Sequence, residues 1–391
     1  MIKTVGILGA GQLARMLAQA GLPMGLEFIF LDPAGDACAS EFGEHICAGW
    51  DDEAALTDLG QRSDVVTFDF ENVPESSASL IESLCPVYPL PHALYQSQDR
   101  LREKTMMQEL GIPVAPFYPV ASRPDLVAAV EKIGLPCVLK TRRFGYDGKG
   151  QVVLRFQEDM ERAWQLLGDS DLICEGFVSF QAECSIIAAR GREGQTVYWP
   201  LTRNLHREGI LAISMAPAFD LRLQARAEAM IQRLLDHLGY TGVMALELFL
   251  MDGELLANEF APRVHNSGHW SIDGAHTSQF ENHLRAICGL PLGETHNTSS
   301  AVMFNLLGDM PAYANEQSDD QFLSQGVYWH DYHKTPREGR KIGHVTVTAE
   351  SDTGLKARAA QLASELGVAA ELNFETILPF RVDTTPGKPG V

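Results

Sequence analysis

The amino-acid sequence predicts a multidomain chain of mixed α/β and α+β class. A Rossmann-like N-terminal domain covers residues 1–97, a central domain with a lid subdomain at about 115–190 covers 98–297, and a small β-rich C-terminal domain covers 298–391. Three observations predict this. A buried-type strand at 2–8 runs into Gly9-Ala-Gly11-Gln-Leu-Ala14 and a helical pattern. Two apolar runs, 243–250 and 255–260, flank Asp252-Gly253, a dipeptide that favours a hairpin. Beyond residue 298 the pattern alternates in short strands, and 391 residues are too many for one compact core.

Composition narrows the function classes. With 45% hydrophobic and 21% charged residues the chain reads as an ordinary soluble protein. A net charge of −20 argues against general nucleic-acid or membrane-surface binding, while leaving room for small anionic ligands in a local basic pocket. The seven cysteines are odd in number and form no C-x-x-C pair, as expected of reduced thiols in a cytoplasmic protein. The N-terminus runs straight into a strand with no signal peptide, and no apolar run is long enough to span a bilayer.

Taken in order, the strand at 2–8 and the helical pattern at 13–20 enclose the glycine turn, and a second strand at 27–31 ends in Asp32. This is G-x-G-x-x-A with an acid about twenty residues on, the dinucleotide fingerprint. Alone it would point to an NAD-dependent dehydrogenase. Physically it states only that backbone amides face an anion or a neighbouring loop. A third strand at 64–70 ends in Glu71, which would face the same crevice or equally serve as a loop acid. A proline-rich stretch at 85–91 precedes a boundary near 97. A helix then runs to residue 110 with Asp99 as its cap and Gly111-Ile-Pro113 as its stop. Arg100 and Lys104, four residues apart, share one face of it, the usual pattern of a solvated face. A shorter helix covers 125–133.

The strand at 137–140 carries Lys140, whose ammonium needs an anionic partner in so apolar a setting. Between it and a strand at 152–156, the loop 141–151 holds three glycines with Arg142, Arg143 and Lys149. Such a lid can wrap phosphates with backbone N–H groups, and it does not match a P-loop. A helix at 158–167 precedes the apolar segment 171–178, where Glu175 to Val178 fit a linker around an adenine. Glu183 is an acid in another apolar strand and can accept from a ribose. A helix at 221–238 turns Ala225, Ala229, Leu234, Leu235 and Leu238 toward a core. Residues 276–289 are helical, and strands follow at 301–306, 326–329, 343–347 and 377–381. Among these, a loop from Tyr332 to Lys341 has five basic residues in ten, counting His333, a cluster suited to an organic phosphate.

The hairpin at 243–260 carries an acid in each arm, Glu247 and Glu259, where a core strand should have none. Register decides whether they meet. A two-residue loop sets Glu247 opposite Asn258, whereas a three-residue loop, Asp252-Gly253-Glu254, sets it opposite Glu259. We expect the three-residue loop. The two carboxylates and the Asn258 amide oxygen then suit Mg²⁺, which is held by one or two carboxylates plus substrate phosphates. The loop that follows packs Arg263, His265, Asn266 and His269 into a donor-rich wall.

Together, a strand lysine, a glycine lid, an adenine linker and two acids on a late hairpin resemble the ATP-grasp superfamily over nearly the whole chain. In that scheme the first domain is the pre-ATP-grasp domain and the second the ATP-grasp domain. More narrowly, the sequence is similar to the N5-carboxyaminoimidazole ribonucleotide synthetase family. The matching stretches are GILGAGQLARM at 6–16, FENVP at 70–74, QDRLREK at 98–104, KTRRFGYDGKGQ at 140–151, NEFAPRVHNSGHW at 258–270 and KTPREGRKIGH at 334–344. Phe144 departs from the pattern, which expects a small residue there, and Glu175-Gly-Phe-Val is looser than E-Q-x-I.

The resemblance implies ATP binding by Arg100, Lys140, the lid residues Gly145, Tyr146, Asp147, Gly148, Lys149, Gly150 and Gln151, the linker Glu175, Gly176, Phe177 and Val178, and also Glu183, His206, Asn258 and Glu259. It implies Mg²⁺ on Glu247 and Glu259. Gln12, Leu13 and Glu71 would face a ribonucleotide whose 5′-phosphate is gripped by Tyr146, Lys334 and Arg340. The ring would lie near Asp147, Arg263, His265 and Asn266, with Arg263 stabilising bicarbonate and Asp147 acting on the amine proton. The implied reaction is carboxylation of 5-aminoimidazole ribonucleotide by bicarbonate and ATP through carboxyphosphate. The implied setting is cytoplasmic and homodimeric, with small-molecule substrates, no nucleic acid and no membrane.

Three rivals use less of the chain. A dehydrogenase leaves the lid, the paired glutamates and the basic cluster idle. A formate-dependent glycinamide ribonucleotide enzyme shares the ATP machinery but not segments 263–270 and 334–344. A non-catalytic nucleotide-binding regulator leaves the two metal-type acids without a purpose.

Overall fold

The computed structural model describes residues 2–145, 149–310 and 326–366. In the N-terminal region strands β1 (Thr4–Leu8), β2 (Glu27–Leu31), β3 (Glu44–Ile46) and β4 (Val65–Phe68) are joined through α1 (Gln12–Gly21), α2 (Glu53–Arg62) and short irregular turns. The chain returns by crossovers, so the pairing is parallel, in the order β3-β2-β1-β4. Helices α3 (Glu75–Glu82) and α4 (Pro91–Ser97) lead to α5 (Arg100–Glu109). Asp99 caps α5 by accepting from the Leu101 and Arg102 amides, as its sequence position predicts.

A second, antiparallel sheet holds the lid. Its order is β5 (Phe117–Val120), β8 (Leu172–Gly176), β6 (Cys137–Thr141) and β7 (Gln151–Leu154). Helices α6 (Arg123–Ile133) and α7 (Asp159–Leu167) cover it over a core that includes Leu126, Leu139, Ala163 and Cys174.

The third sheet is the scaffold of the cleft. It contains β9 (Ala182–Arg190), β10 (Thr196–Tyr198), β11 (Thr202–Arg207), β12 (Ile210–Ala216), β13 (Gly242–Met251), β14 (Glu254–Ala261), β15 (Ser300–Gly308), β16 (Val327–Asp331) and β17 (Arg337–Ala349). The order is β14-β13-β9-β11-β12-β15-β17-β16, with β10 on β9. The alternating strands after residue 298 therefore join the central sheet through the β12–β15 pairing. The segment 337–341, expected as loop, is the first part of β17. A helix at the far end, α11 (Asp352–Glu365), was not anticipated, and the strand expected at 377–381 lies outside the described residues.

Helix α8 (Leu221–His237) packs on one face of this sheet and α10 (Gln279–Ile287), preceded by α9 (Ser271–Gly274), on the other. The buried face of α8 is Leu223, Ala227, Met230, Ile231, Leu234 and Leu235, while Ala225 and Ala229 face outward. The large side chains Met230 and Ile231 set the stripe, because they remove more apolar area from water than alanines do. Among the described residues no helix is long and apolar enough to cross a membrane.

Candidate active site

The hairpin β13–β14 turns on two residues, not three. Met251 pairs with Glu254, and Asp252 and Gly253 have φ of 51° and 75°, the left-handed pair of a type I′ turn. Pairing then runs evenly to Leu248 opposite Ala257, where a bulge leaves Asn258 as the extra residue and brings Glu247 opposite Glu259. One inserted residue shifts the register by one. The carboxylates face each other as expected, but a bulge and not the loop length is the cause.

On one side of this pair lies a chamber of about 290 Å³ that gathers Arg100, Lys140, Lys149, Gln151, Glu175, Gly176, Phe177, Val178, Glu183, Asn258 and both hairpin glutamates. The anionic partner that Lys140 needs is Glu175, 3.0 Å away. A second lysine, Lys104, sits 3.4 Å from the same oxygen. Burial alone pushes the Glu175 carboxyl up, but the charges of Lys104 and Lys140 outweigh it and hold the group at about 2. Phe180 and Phe249 stack at 4.9 Å on the chamber wall, a flat apolar surface suited to a base. Glu183 lies 2.9 Å from His206 Nδ1. Burial opposes charge on His206, yet Glu183 and Glu247 together raise its pKa.

On the other side is a chamber of about 240 Å³ lined by Gln12, Glu71, Arg142, Arg263, His265, Asn266 and Lys341. Arg100, His206, Gly209, Glu247 and Glu259 line both chambers, so the cleft is one space waisted at the carboxylate pair. Arg263 is ion-paired with Glu71, joining the central sheet to the N-terminal crevice. Lys334 donates to Gln12 across 322 positions of sequence. Burial, with the charge of Arg340 nearby, lowers the Lys334 pKa. Arg340 itself donates to the Thr335 carbonyl at 2.9 Å. Leu13 packs its side chain into the core beneath α1.

The lid is tied down at its base. Arg142 pairs with Asp99, and Arg100 donates to the Thr141 and Gly145 carbonyls, both at 3.1 Å. Phe144 has φ 60°, which explains the small residue expected there, and Gly150 has φ 71°. Tyr146, Asp147 and Gly148 lie outside the described residues.

Behind the cleft runs a buried polar chain. Ser214 Oγ donates to Asn204 Oδ1, Asn204 Nδ2 to Ser185 Oγ, and Ser185 Oγ to Ser267 Oγ, over 2.9, 3.1 and 2.7 Å. The Ser267 amide donates to His265 Nδ1 at 3.3 Å and the Ser267 hydroxyl lies 2.9 Å from the same atom, so Nδ1 is an acceptor. The proton of a neutral His265 is thereby placed on Nε2, which sits 3.0 Å from Glu247. Burial pushes the Glu247 carboxyl up, but the hydrogen bond and charge of His265 hold it at about 2. Asn266 and Asn305 exchange side-chain hydrogen bonds at 2.8 and 3.0 Å. Ser185, Asn204 and Ser214 escaped the sequence reading, and Lys104, expected on a solvated face, is buried. Their one signal was a polar residue inside an otherwise apolar or solvated pattern.

The fit to a divalent ion rests on two hard carboxylates. Among the described residues no group of three His, Cys, Asp or Glu gathers that could hold a metal alone. An ion held by Glu247 and Glu259 would take its other ligands from substrate or water, as Mg²⁺ commonly does.

The glycine turn is different. Its amides are already spoken for: Ala10 donates to Asp32, and Gly11 and Ala14 donate to Asp69, at 2.9, 2.9 and 3.2 Å. Gly9 has φ 112°, and a Cβ there would fall 1.6 Å from Asp69 Oδ1. A pyrophosphate would need the same donors, so the dehydrogenase reading is set aside. Burial pushes Asp69 up to about 6 in spite of these amides.

Comparison with known proteins agrees with this geometry. The ribonucleotide synthetase pre-ATP-grasp domain model matches residues 2–98, the ATP-grasp domain model 105–280, and the phosphoribosylaminoimidazole carboxylase C-terminal domain model 301–358. The chain is 48% identical to the N5-carboxyaminoimidazole ribonucleotide synthase of Pseudomonas aeruginosa, covering 92% of this chain and 98% of the relative. It is 39% identical to that of Bacillus subtilis over 88% and 90%. Its fold is similar to the crystal structure of the synthetase from Thermus thermophilus, with TM-score 0.88, 46% identity and coverage of 94% and 99%. It is also similar to the Aspergillus clavatus enzyme in complex with ADP and 5-aminoimidazole ribonucleotide, with TM-score 0.85, 26% identity and coverage of 94% and 98%.

Proposed function

The chain belongs to the N5-carboxyaminoimidazole ribonucleotide synthase family of ATP-grasp ligases, and from that premise we propose how its cleft divides the reaction. The activity is ATP-dependent carboxylation of 5-aminoimidazole ribonucleotide in purine biosynthesis. The observation that carries the division of labour is the carboxylate pair shared by two chambers. ATP occupies the chamber of Lys140 and Glu175, with its base against Gly176, Phe177 and Val178 and its ribose near Glu183. Glu175, 3.0 Å from its ammonium, directs Lys140. Glu247 and Glu259, with Asn258 beside them, would hold Mg²⁺, which when bound would neutralise charge developing on the phosphoryl oxygens.

The acceptor occupies the chamber of Gln12, Glu71, Arg263 and His265, with its phosphate at Tyr146, Lys334 and Arg340. Bicarbonate attacks the γ-phosphorus at the waist between the chambers. Arg263 steadies the bicarbonate and then the carboxyphosphate, a labile mixed anhydride that must be shielded from water. Its carboxyl group passes to the exocyclic amine, leaving the bridging oxygen on phosphate. Asp147 takes the amine proton. Asp147→Asn should retain ATP binding and lose turnover, and an unchanged kcat sinks that role.

We further propose domain boundaries near 97 and 297 and a cytoplasmic homodimer, the latter checked by light scattering. The functional test is ADP release from ATP, Mg²⁺ and bicarbonate with and without 5-aminoimidazole ribonucleotide. A sharp rise with the ribonucleotide is expected. ADP release indifferent to it would overturn the acceptor, and no release at all would overturn the ATP chemistry.

A further inference from the structure

Helix α5 carries two consecutive charged residues, Glu103 and Lys104, each 2% exposed, that the reaction as described does not use. Burying one charge is costly, and burying two in sequence demands partners. Consecutive helix positions point about 100° apart, and the two side chains enter different chambers, Glu103 that of the acceptor and Lys104 that of the nucleotide. Both end on the backbone of β14. Lys104 Nζ donates to the Asn258 carbonyl at 2.8 Å, and Glu103 Oε1 accepts from the Phe260 amide at 2.6 Å. The residue between those two backbone groups is Glu259.

The placement matters because β14 is the edge strand of its sheet and is bulged at Asn258. Outward-facing groups of an edge strand have no ladder partner, and a bulge disrupts pairing on the other side as well. The outer side of β14 is bridged by Val114 at Ala257; beyond that bridge Asn258 is the bulged residue, and Asn258 and Phe260 flank the carboxylate whose position decides whether the pair can share an ion. Lys104 also holds Glu175, so the same turn of α5 links the waist to the lysine of the nucleotide chamber.

We propose that Glu103 and Lys104 form a clamp that stands in for a neighbouring strand and sets the position of Glu259 opposite Glu247. They are positioning residues, acting through Glu259. The inference rests on the reading of that pair as the metal-holding site, and the test separates the two.

The probe is Mn²⁺ with ADP, followed by electron paramagnetic resonance on the full chain, beside ADP binding measured in EDTA. Glu103→Met removes the acceptor at similar bulk, and Glu103→Gln keeps an acceptor oxygen. Glu103→Met should weaken Mn²⁺ binding tenfold or more while metal-free ADP binding changes less than twofold, and Glu103→Gln should restore Mn²⁺ binding to within about threefold of wild type. Equal losses in both variants, or equal losses in metal-bound and metal-free ADP binding, overturn the clamp. A wild-type protein that binds no Mn²⁺ with ADP overturns the metal reading and the clamp with it. If Glu103→Met does not fold, amide exchange in the wild type decides. The Phe260 amide should exchange far more slowly than an unpaired edge amide, and exchange at the open rate overturns the proposal.

Discussion

Two regions of this molecule bring carboxylates to the backbone, and they do opposite things with them. At the N-terminal glycine turn, Asp69 and Asp32 accept the amides that would otherwise receive a phosphate. At the β13–β14 hairpin, Glu247 and Glu259 face each other over a bulge, and one of them is steered by a histidine whose proton the Ser267 amide has placed. The first site is filled by its own chain. At the second, Glu247 meets His265, Glu259 meets Arg100, and the pair opens on both chambers. A glycine motif specifies a backbone shape, and the spent or unspent donors around it specify the ligand.

The contrast can be broken most sharply at the hairpin. Glu247→Gln should lower kcat/KM by on the order of 10³-fold, because charge stabilisation at the phosphoryl group is lost. A loss below tenfold, read from initial rates, would return these acids to a structural role. Next is Glu175→Gln, which leaves Lys104 and Lys140 facing a neutral amide. Removing one member of a buried ion pair should cost roughly 3–5 kcal/mol by denaturant unfolding and raise the KM for ATP.

The nucleotide chamber and the glycine turn also carry opposite pH signs. Glu175 sits near 2, below its unfolded value, so its stabilisation is present above about pH 4.5 and fades as pH falls toward 2. Asp69 sits near 6, above its unfolded 3.8, so the folded chain binds that proton more tightly. Its contribution is complete below about pH 4 and lost as pH rises through 6, on the order of 2–3 kcal/mol. Asp69→Asn should flatten that fall in a plot of unfolding free energy against pH, and an unchanged slope would contradict the burial argument. The smallest effect is at the lid base. Asp99→Ala removes a helix cap and the partner of Arg142 and should cost about 1–2 kcal/mol. Its check is thermal unfolding together with the KM for ATP.

The sequence made part of this legible. The parallel N-terminal strands, the Asp99 cap, Lys140 seeking an anion, and the opposed glutamates were all readable, because each rests on local pattern or on a charge in the wrong place. The turn at Asp252-Gly253 was misjudged because a bulge five residues later makes the same register change as a longer loop. The self-filled glycine turn was hidden because Asp69 lies 58 positions from the Gly11 amide that it accepts. Lys104 looked solvated because helix periodicity says nothing about a strand 154 residues away. Ser185, Asn204 and Ser214 gave no sign beyond being polar in apolar strands, since their purpose appears only when three strands and the loop of His265 come together.

The most direct measurement of the central claim is a single turnover with ¹⁸O-labelled bicarbonate, ATP, Mg²⁺ and 5-aminoimidazole ribonucleotide, followed by mass analysis of the phosphate. Attack by bicarbonate on the γ-phosphorus places one labelled oxygen in each phosphate. Phosphate that carries only solvent oxygen would mean that water attacks, and the carboxyphosphate route through the shared carboxylate pair would be wrong.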